Sequence, residues 1–309
     1  MNSLEQQNAA SREGEIRRVT LVGLVINIML TVGKLAAGVL GRSAAMLADA
    51  AHSASDLATD AVVLAFVRVS SKPKDDTHDY GHGKFETLGA VIVGMVLVAV
   101  AVGIFVDSAE RIETIVDGGY VARPGIVALA AAAMSILAKE LLYHYTVSCA
   151  RRVESSMLKA NAWHHRSDAL SSIATLVGIA GARYLGEQWV ILDPIAAIVV
   201  GALILKVAVD MIRPNLDELL ERSLPAAEQS DILRIVGSES GVEEPHNLRT
   251  RRVGRNVVVD VHIRLDGAMS VSSSHEVTRR IEQRLKSRFG DGTIVTVHVE
   301  PLRAATTPR

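Results

Sequence analysis

Long apolar runs fill the first two thirds of the chain, and they end near residue 213. Six of them are long enough to cross a bilayer, at roughly 17–40, 44–70, 86–112, 124–147, 156–184 and 189–213. Gly41, the Asp117-Gly118-Gly119 turn and Gly186 mark short connections between runs. Asp193-Pro194 suits the start of the sixth, where proline is tolerated. The first run, Val19 to Leu40, is too long for a signal-peptide core and reads as a retained membrane helix. After Pro214 the pattern shortens. It predicts a helix at about 226–239, strands at about 246–252 and 256–266 with a turn at Gly254, a helix at about 272–289 and a strand at about 293–301. This αββαβ order predicts a small two-layer α+β domain. The expected organisation is a polar tail (1–16), a six-helix transmembrane domain (17–213), a cytoplasmic metal-binding domain (214–302) and a short tail (303–309).

The second and fifth runs differ from the others. They are rich in Ala, Ser and Asp, so they should avoid lipid and pack against each other inside the bundle. Each holds a histidine four residues before an aspartate, His52 with Asp56 and His164 with Asp168. That spacing places both side chains on one helix face. An unpaired charge at mid-bilayer costs at least about 2.5–3.5 kcal/mol. Two facing pairs instead offer two imidazole nitrogens and two carboxylate oxygens, a tetrahedral set for a divalent ion, zinc first. Asp49 and Asp60 extend the stripe on the second run, as approach-path ligands or as solvated cavity residues. His165 points about 100° away from His164, toward an outer shell or the lipid headgroups.

Two further clusters lie outside the apolar runs. Asp75, His78 and His82 are spaced three and four apart, and if helical they reach one ion; alone they also read as a solvated loop. In the tail domain, strand alternation puts Asp260 with His262 on one face, and His298 with Glu300 on one face. With His246 and His275 they could bind one or two ions, although singly each reads as a surface residue. Arg249, Arg251, Arg252 and Arg255 fit anionic lipid headgroups or acidic partners better than nucleic acid.

The 33 basic and 34 acidic residues give a net charge of −1, which argues against a nucleic-acid binder. A single cysteine, Cys149, excludes an intramolecular disulfide framework. Lysine and arginine concentrate in the N-terminal tail and in the loops after runs two and four, which puts both termini in the cytoplasm.

LADAAHSASD, YGHGKFE, AWHHRSD, LLERSLP and HNLRTRRVG together resemble the cation diffusion facilitator family, in particular its bacterial zinc-exporting members, from about Arg17 to Pro301. The resemblance implies a homodimer in the plasma (inner) membrane with a ferredoxin-like cytoplasmic tail domain. It implies a transport site at His52, Asp56, His164 and Asp168, and a loop site at Asp75, His78 and His82. It also implies a cytoplasmic binuclear site at His246, His262, His275, His298 and Glu300, and an interdomain contact between Lys84 and Glu221. Glu300 departs from the aspartate common in the family's zinc exporters, and its extra methylene moves the carboxylate by about one carbon–carbon bond.

The resulting expectation is a Zn2+/H+ antiporter that exports zinc, with zinc as both cargo and regulatory ion and with protons and membrane lipids as further partners. Metal ligation needs neutral imidazoles and ionised carboxylates, so metal and protons compete. Iron, cadmium, cobalt and manganese are alternative cargoes. A membrane metallohydrolase would need an open coordination position and a general base, and HExxH is absent. A metal-sensing scaffold would have no use for intramembrane ligands.

Overall fold

A computed structural model describes residues 3–70, 72–153 and 155–302. Six long helices come first: α1 (Ser3–Leu40), α2 (Ala44–Ser70), α3 (Lys84–Val116), α4 (Ile126–Arg152), α5 (Ser156–Tyr184) and α6 (Leu192–Leu219). The tail follows as α7 (Ala226–Gly237), β1 (Glu243–Val253), β2 (Asn256–Leu265), α8 (Val271–Phe289) and β3 (Ile294–Pro301). The expected helical membrane domain and αββαβ tail are both present, and α1 begins well before the first apolar run. Among the described residues, four stretches are long and apolar enough to span a membrane: Gly14–Leu40, Lys84–Val116, Ile126–Arg152 and Glu187–Leu219. α5, which carries Lys159, His164, Arg166, Asp168 and Arg183, is not in that set. The side chains of α2 are described only in part.

The residues fall into two compact units, one of Met1–Ala61 with Val93–Asp210, the other of Val62–Ile92 with Met211–Arg309. The loop after α2 thus belongs with the C-terminal part. Small residues build the core of the first unit. Ala37, Ala45, Met46, Ala128, Ala132, Ile179 and Ala196 form one buried cluster from five helices, and short side chains let the backbones approach. Gly178 marks a close approach, because a Cβ there would collide with Ala196 and come within 2.9 Å of the Leu192 carbonyl. The start of α2 is held from a distance. Asp193 on α6 is buried, and it accepts hydrogen bonds from Ser43 Oγ at 2.5 Å and the Ala44 amide at 2.7 Å. It therefore satisfies an amide that the helix itself leaves unpaired.

In the second unit, β2 is central in a β1-β2-β3 sheet, antiparallel to β1 and parallel to β3. Val257, Val259, Val261, Ile263 and Leu265 alternate onto one face. They pack there with Val277, Ile281 and Leu285, one stripe of α8, and with Ile232 and Val236 of α7. The other face of the sheet carries the polar residues of the strands. Just after α7, Glu239 accepts from Arg280 at 2.7 Å and Arg284 at 3.2 Å, both on α8.

Two outcomes follow from this packing. Gly178→Ala should destabilise the detergent-solubilised protein by about 1–3 kcal/mol, because backbone as well as side chain must shift; an unchanged thermal midpoint would contradict the close approach. The Arg280 hydrogen bond, with Arg284 adding to it, holds the Glu239 carboxyl below its ordinary value near 4.5. A depressed carboxyl stabilises the fold above its unfolded value and loses that contribution as pH falls through the folded one. The protection of amides across α7 and α8, relative to the intrinsic exchange rate at each pH, should therefore fall below about pH 4.5, and Glu239→Gln should flatten that dependence.

Candidate metal centre

The most buried of three candidate ligand groups lies in the helical unit. His52 and Asp56 on α2 and Asp168 on α5 offer ligand atoms that all lie within 4.8 Å of one another. The spacing of four on α2 and the packing of small-residue helices bring them together. Asp168 is 6% exposed. His52 Nδ1 is buried with no hydrogen-bond partner. A buried polar nitrogen is ordinarily paired, and two carboxylates beside it make a cation the fitting partner. His164 is the expected ligand that stands at the edge: its side chain is half exposed, and its Nδ1 is 3.8 Å from Asp168 Oδ1. His165 does not face the lipid headgroups, one of its two expected places. It is 2% exposed, its two ring nitrogens have no hydrogen-bond partner, and Nε2 lies against Gly23 of α1.

Two residues of the interior escaped the pattern reading, Lys34 and Lys139. Lys34 on α1 pairs with Asp49 at 2.8 Å, both side chains being almost fully buried. Asp49 is thus a closed structural partner and not an approach-path ligand, because its carboxylate is already neutralised and out of contact with water. The side chain of Asp60, also expected on a path, lies outside the described residues. Lys139 on α4 donates to Asp168 Oδ2 at 2.7 Å. The signal was available: each lysine is a charge inside an apolar run, in VGKLAAG and SILAKELL.

Asp75, His78 and His82 also form a group within 4.8 Å, but not on a helix. Asp75 Oδ1 accepts from the Thr77 amide at 2.9 Å, the Thr77 hydroxyl at 2.8 Å and the His78 amide at 2.9 Å, which folds the segment into a tight turn. The turn sets the imidazoles of His78 and His82 4.3 Å apart. The same bonds, led by the Thr77 hydroxyl, pull the Asp75 carboxyl down to about 2. An ionised carboxylate at neutral pH is the form a cation requires.

The tail contributes a third group. His246, His262 and His298 occupy one rung across β1, β2 and β3. His246 reaches this rung through an irregularity in β1. Between the pairs His246–His262 and Arg249–Asp260, two residues of β1 (Asn247 and Leu248) oppose one of β2 (Val261), with positive φ at Glu244 and Asn247. Glu300, on the same face, lies 3.0 Å from His262 Nδ1 and 3.4 Å from His246 Nε2. The His262 contact is the main reason its carboxyl is held below the usual glutamate range. The compact ligand group is His246, His262 and Glu300, with the His298 ring 4.5 Å from that of His262. His275 is not in it. The reason is the layer order: α8 covers the apolar face of the sheet, and the histidine rung projects from the other.

Lys84 at the start of α3 forms an ion pair with Glu221, which also accepts from Arg251 Nε at 2.9 Å. Nearby, Glu218 accepts from Thr87 Oγ1 at 3.0 Å and the Gly254 amide at 2.8 Å. Gly83 allows this approach, since a Cβ there would meet the Val253 carbonyl at 3.0 Å.

The sequence matches the family described as cation efflux transmembrane domain over residues 20–220, and that described as cation efflux protein, cytoplasmic domain, over residues 224–302. The manganese efflux system protein MneP of Bacillus subtilis (strain 168) is 35% identical over 297 residues, covering 95% of this chain and 98% of that protein. Metal tolerance protein C1 of Arabidopsis thaliana is 36% identical over 308 residues, covering 96% of this chain and 64% of that protein. A solved structure, the metal-bound C-terminal domain of the CzcD transporter from Thermotoga maritima, is 35% identical and covers 26% of this chain and 99% of that one, with a TM-score of 0.24. The two family matches run almost without a break from residue 20 to residue 302, and the chain belongs to the cation diffusion facilitator family of divalent metal cation efflux proteins, which are membrane transporters rather than enzymes.

Proposed function

We propose that this protein is a homodimeric, proton-coupled exporter that carries Zn2+ out of the cytoplasm through His52, Asp56, His164 and Asp168. The observation that carries the reading is the convergence of His52, Asp56 and Asp168, whose ligand atoms lie within 4.8 Å of one another, on a histidine whose buried Nδ1 has no hydrogen-bond partner. A helical protein without a need for cations would leave neither that nitrogen unpaired nor two carboxylates side by side. Zinc suits a site of mixed nitrogen and oxygen donors. Each bound metal displaces protons from imidazole, and protons arriving from the far side compete it off. The bundle sits in the plasma membrane with both termini cytoplasmic, in line with the basic loops.

The loop group and the tail group act in regulation. Metal held by His246, His262, His298 and Glu300, with His275 supplied to the complete set as the family resemblance implies, shifts the population toward one carrier state. Lys84, Glu221 and Arg251 tie the start of α3 to the tail and transmit that shift.

A second cargo, manganese, has its own support. The compact part of the transport group holds one nitrogen and two carboxylates, a harder set than two imidazoles and two carboxylates. A relative of nearly equal length is named for manganese efflux.

Proteoliposomes with an imposed pH gradient separate these readings. Wild type should take up zinc faster than manganese, iron, cobalt or cadmium offered side by side, and collapse of the gradient should stop it. Uptake that ignores the gradient would remove the proton coupling, and a preference for manganese would reassign the cargo. His52→Ala and Asp168→Asn should each lower uptake by at least about tenfold, the scale on which even outer partners of metal ligands act. Undiminished uptake in either variant would remove the transport site from these residues.

A further inference from the structure

The two interior lysines are held in different ways. Lys34 contacts Asp49 Oδ2 at 2.8 Å, Ser53 Oγ at 3.0 Å and Ser172 Oγ at 3.2 Å. Ser172 donates in turn to Asp49, 3.1 and 3.0 Å from its two oxygens. An ammonium has three donors, and here each has an acceptor. This is a fixed joint between α1, α2 and α5. Lys139 is as deeply buried, 3% exposed, yet among the described residues its ammonium has one hydrogen-bond partner, Asp168 Oδ2 at 2.7 Å. That partner belongs to the group with His52 and Asp56, and its other oxygen faces His164 at 3.8 Å. A lysine bound by a single contact, to a residue that cargo also needs, is built to be displaced.

We propose that Lys139 is the resident counter-cation of the carrier: its ammonium neutralises Asp168 when no cargo is bound, and an arriving divalent cation takes the carboxylate in its place. The inference rests on the reading of His52, Asp56 and Asp168 as the cargo site. A buried carboxylate that lacks several hydrogen-bond donors requires a cation beside it in every state of the cycle. With Lys139 present, the two carboxylates and the ammonium sum to a single negative charge, and a divalent ion inverts it. Without Lys139 the same ion would cancel two negative charges. Lys139 therefore opposes metal binding and favours metal release. The exchange breaks one N–H···O hydrogen bond and forms one metal–oxygen contact, and the ammonium keeps its proton throughout.

The test measures Zn2+ and Mn2+ binding to the purified full chain by calorimetry, and metal release into excess chelator by stopped flow. Asp168→Ala defines the signal that belongs to this site. Lys139→Met and Lys139→Gln both remove the charge at similar length, so a packing defect in one leaves the other to report. Each should bind metal more tightly by about tenfold or more, because a unit charge a few ångströms away acts strongly inside a protein, and each should release it correspondingly slowly. Lys139→Arg should retain wild-type affinity and release, which a purely structural role for the lysine would not predict. Equal or weaker binding in the charge-free variants, or tightening in the arginine variant as well, would overturn the proposal. Failure of the cargo reading looks different: wild-type proteoliposomes would carry no metal while the charge-free variants still bound it more tightly.

Discussion

A carboxylate taken out of water must keep a cation or several hydrogen-bond donors beside it, and the helical unit is arranged around that requirement. Three buried aspartates meet it in three ways. Asp193 uses the Ser43 hydroxyl and the Ala44 amide, and so fastens α6 to the start of α2. Asp49 uses Lys34 and Ser172, and so fastens α1, α2 and α5. Asp168 uses Lys139, with His52 and Asp56 close by. The first two arrangements are saturated and rigid. The third has unspent donors on Lys139 and an unpaired imidazole nitrogen on His52.

The small side chains serve the same end. Alanines at 37, 45, 128, 132 and 196 bring helix axes near enough for short aspartates and serines to reach across. Larger residues would hold the helices apart and leave Asp49 and Asp168 without partners. Helix packing and charge neutralisation are thus a single constraint, which explains why the polar helices α2 and α5 are also the ones richest in Ala and Ser.

The second unit handles charge near solvent, where geometry matters more than neutralisation. Its histidines converge because cross-strand neighbours share a face, and Glu300 sits between two of them. Asp75 gathers its histidines through a turn that its own side chain stabilises. Glu221 is shared by Lys84 and Arg251, so the start of α3 and the sheet answer to one carboxylate.

Much of this was legible in the chain. Apolar run length determines which segments become long helices, and residue spacing determines that His52 and Asp56 share a face, because both follow from local backbone geometry. The alternation of Val257 to Leu265 likewise determines the covered face of β2. Tertiary structure decided what depends on distant partners. It matched Lys34 to Asp49 and Lys139 to Asp168, choices that no spacing encodes because the partners lie on different helices. It turned His165 inward and left His164 at the rim. It also brought His246 into the rung through an extra residue in β1, against simple alternation, and left His275 on the layer that covers the opposite face. Local geometry reaches as far as one turn or one strand, and beyond that the identity of a charge's partner is settled only when helices and sheets pack.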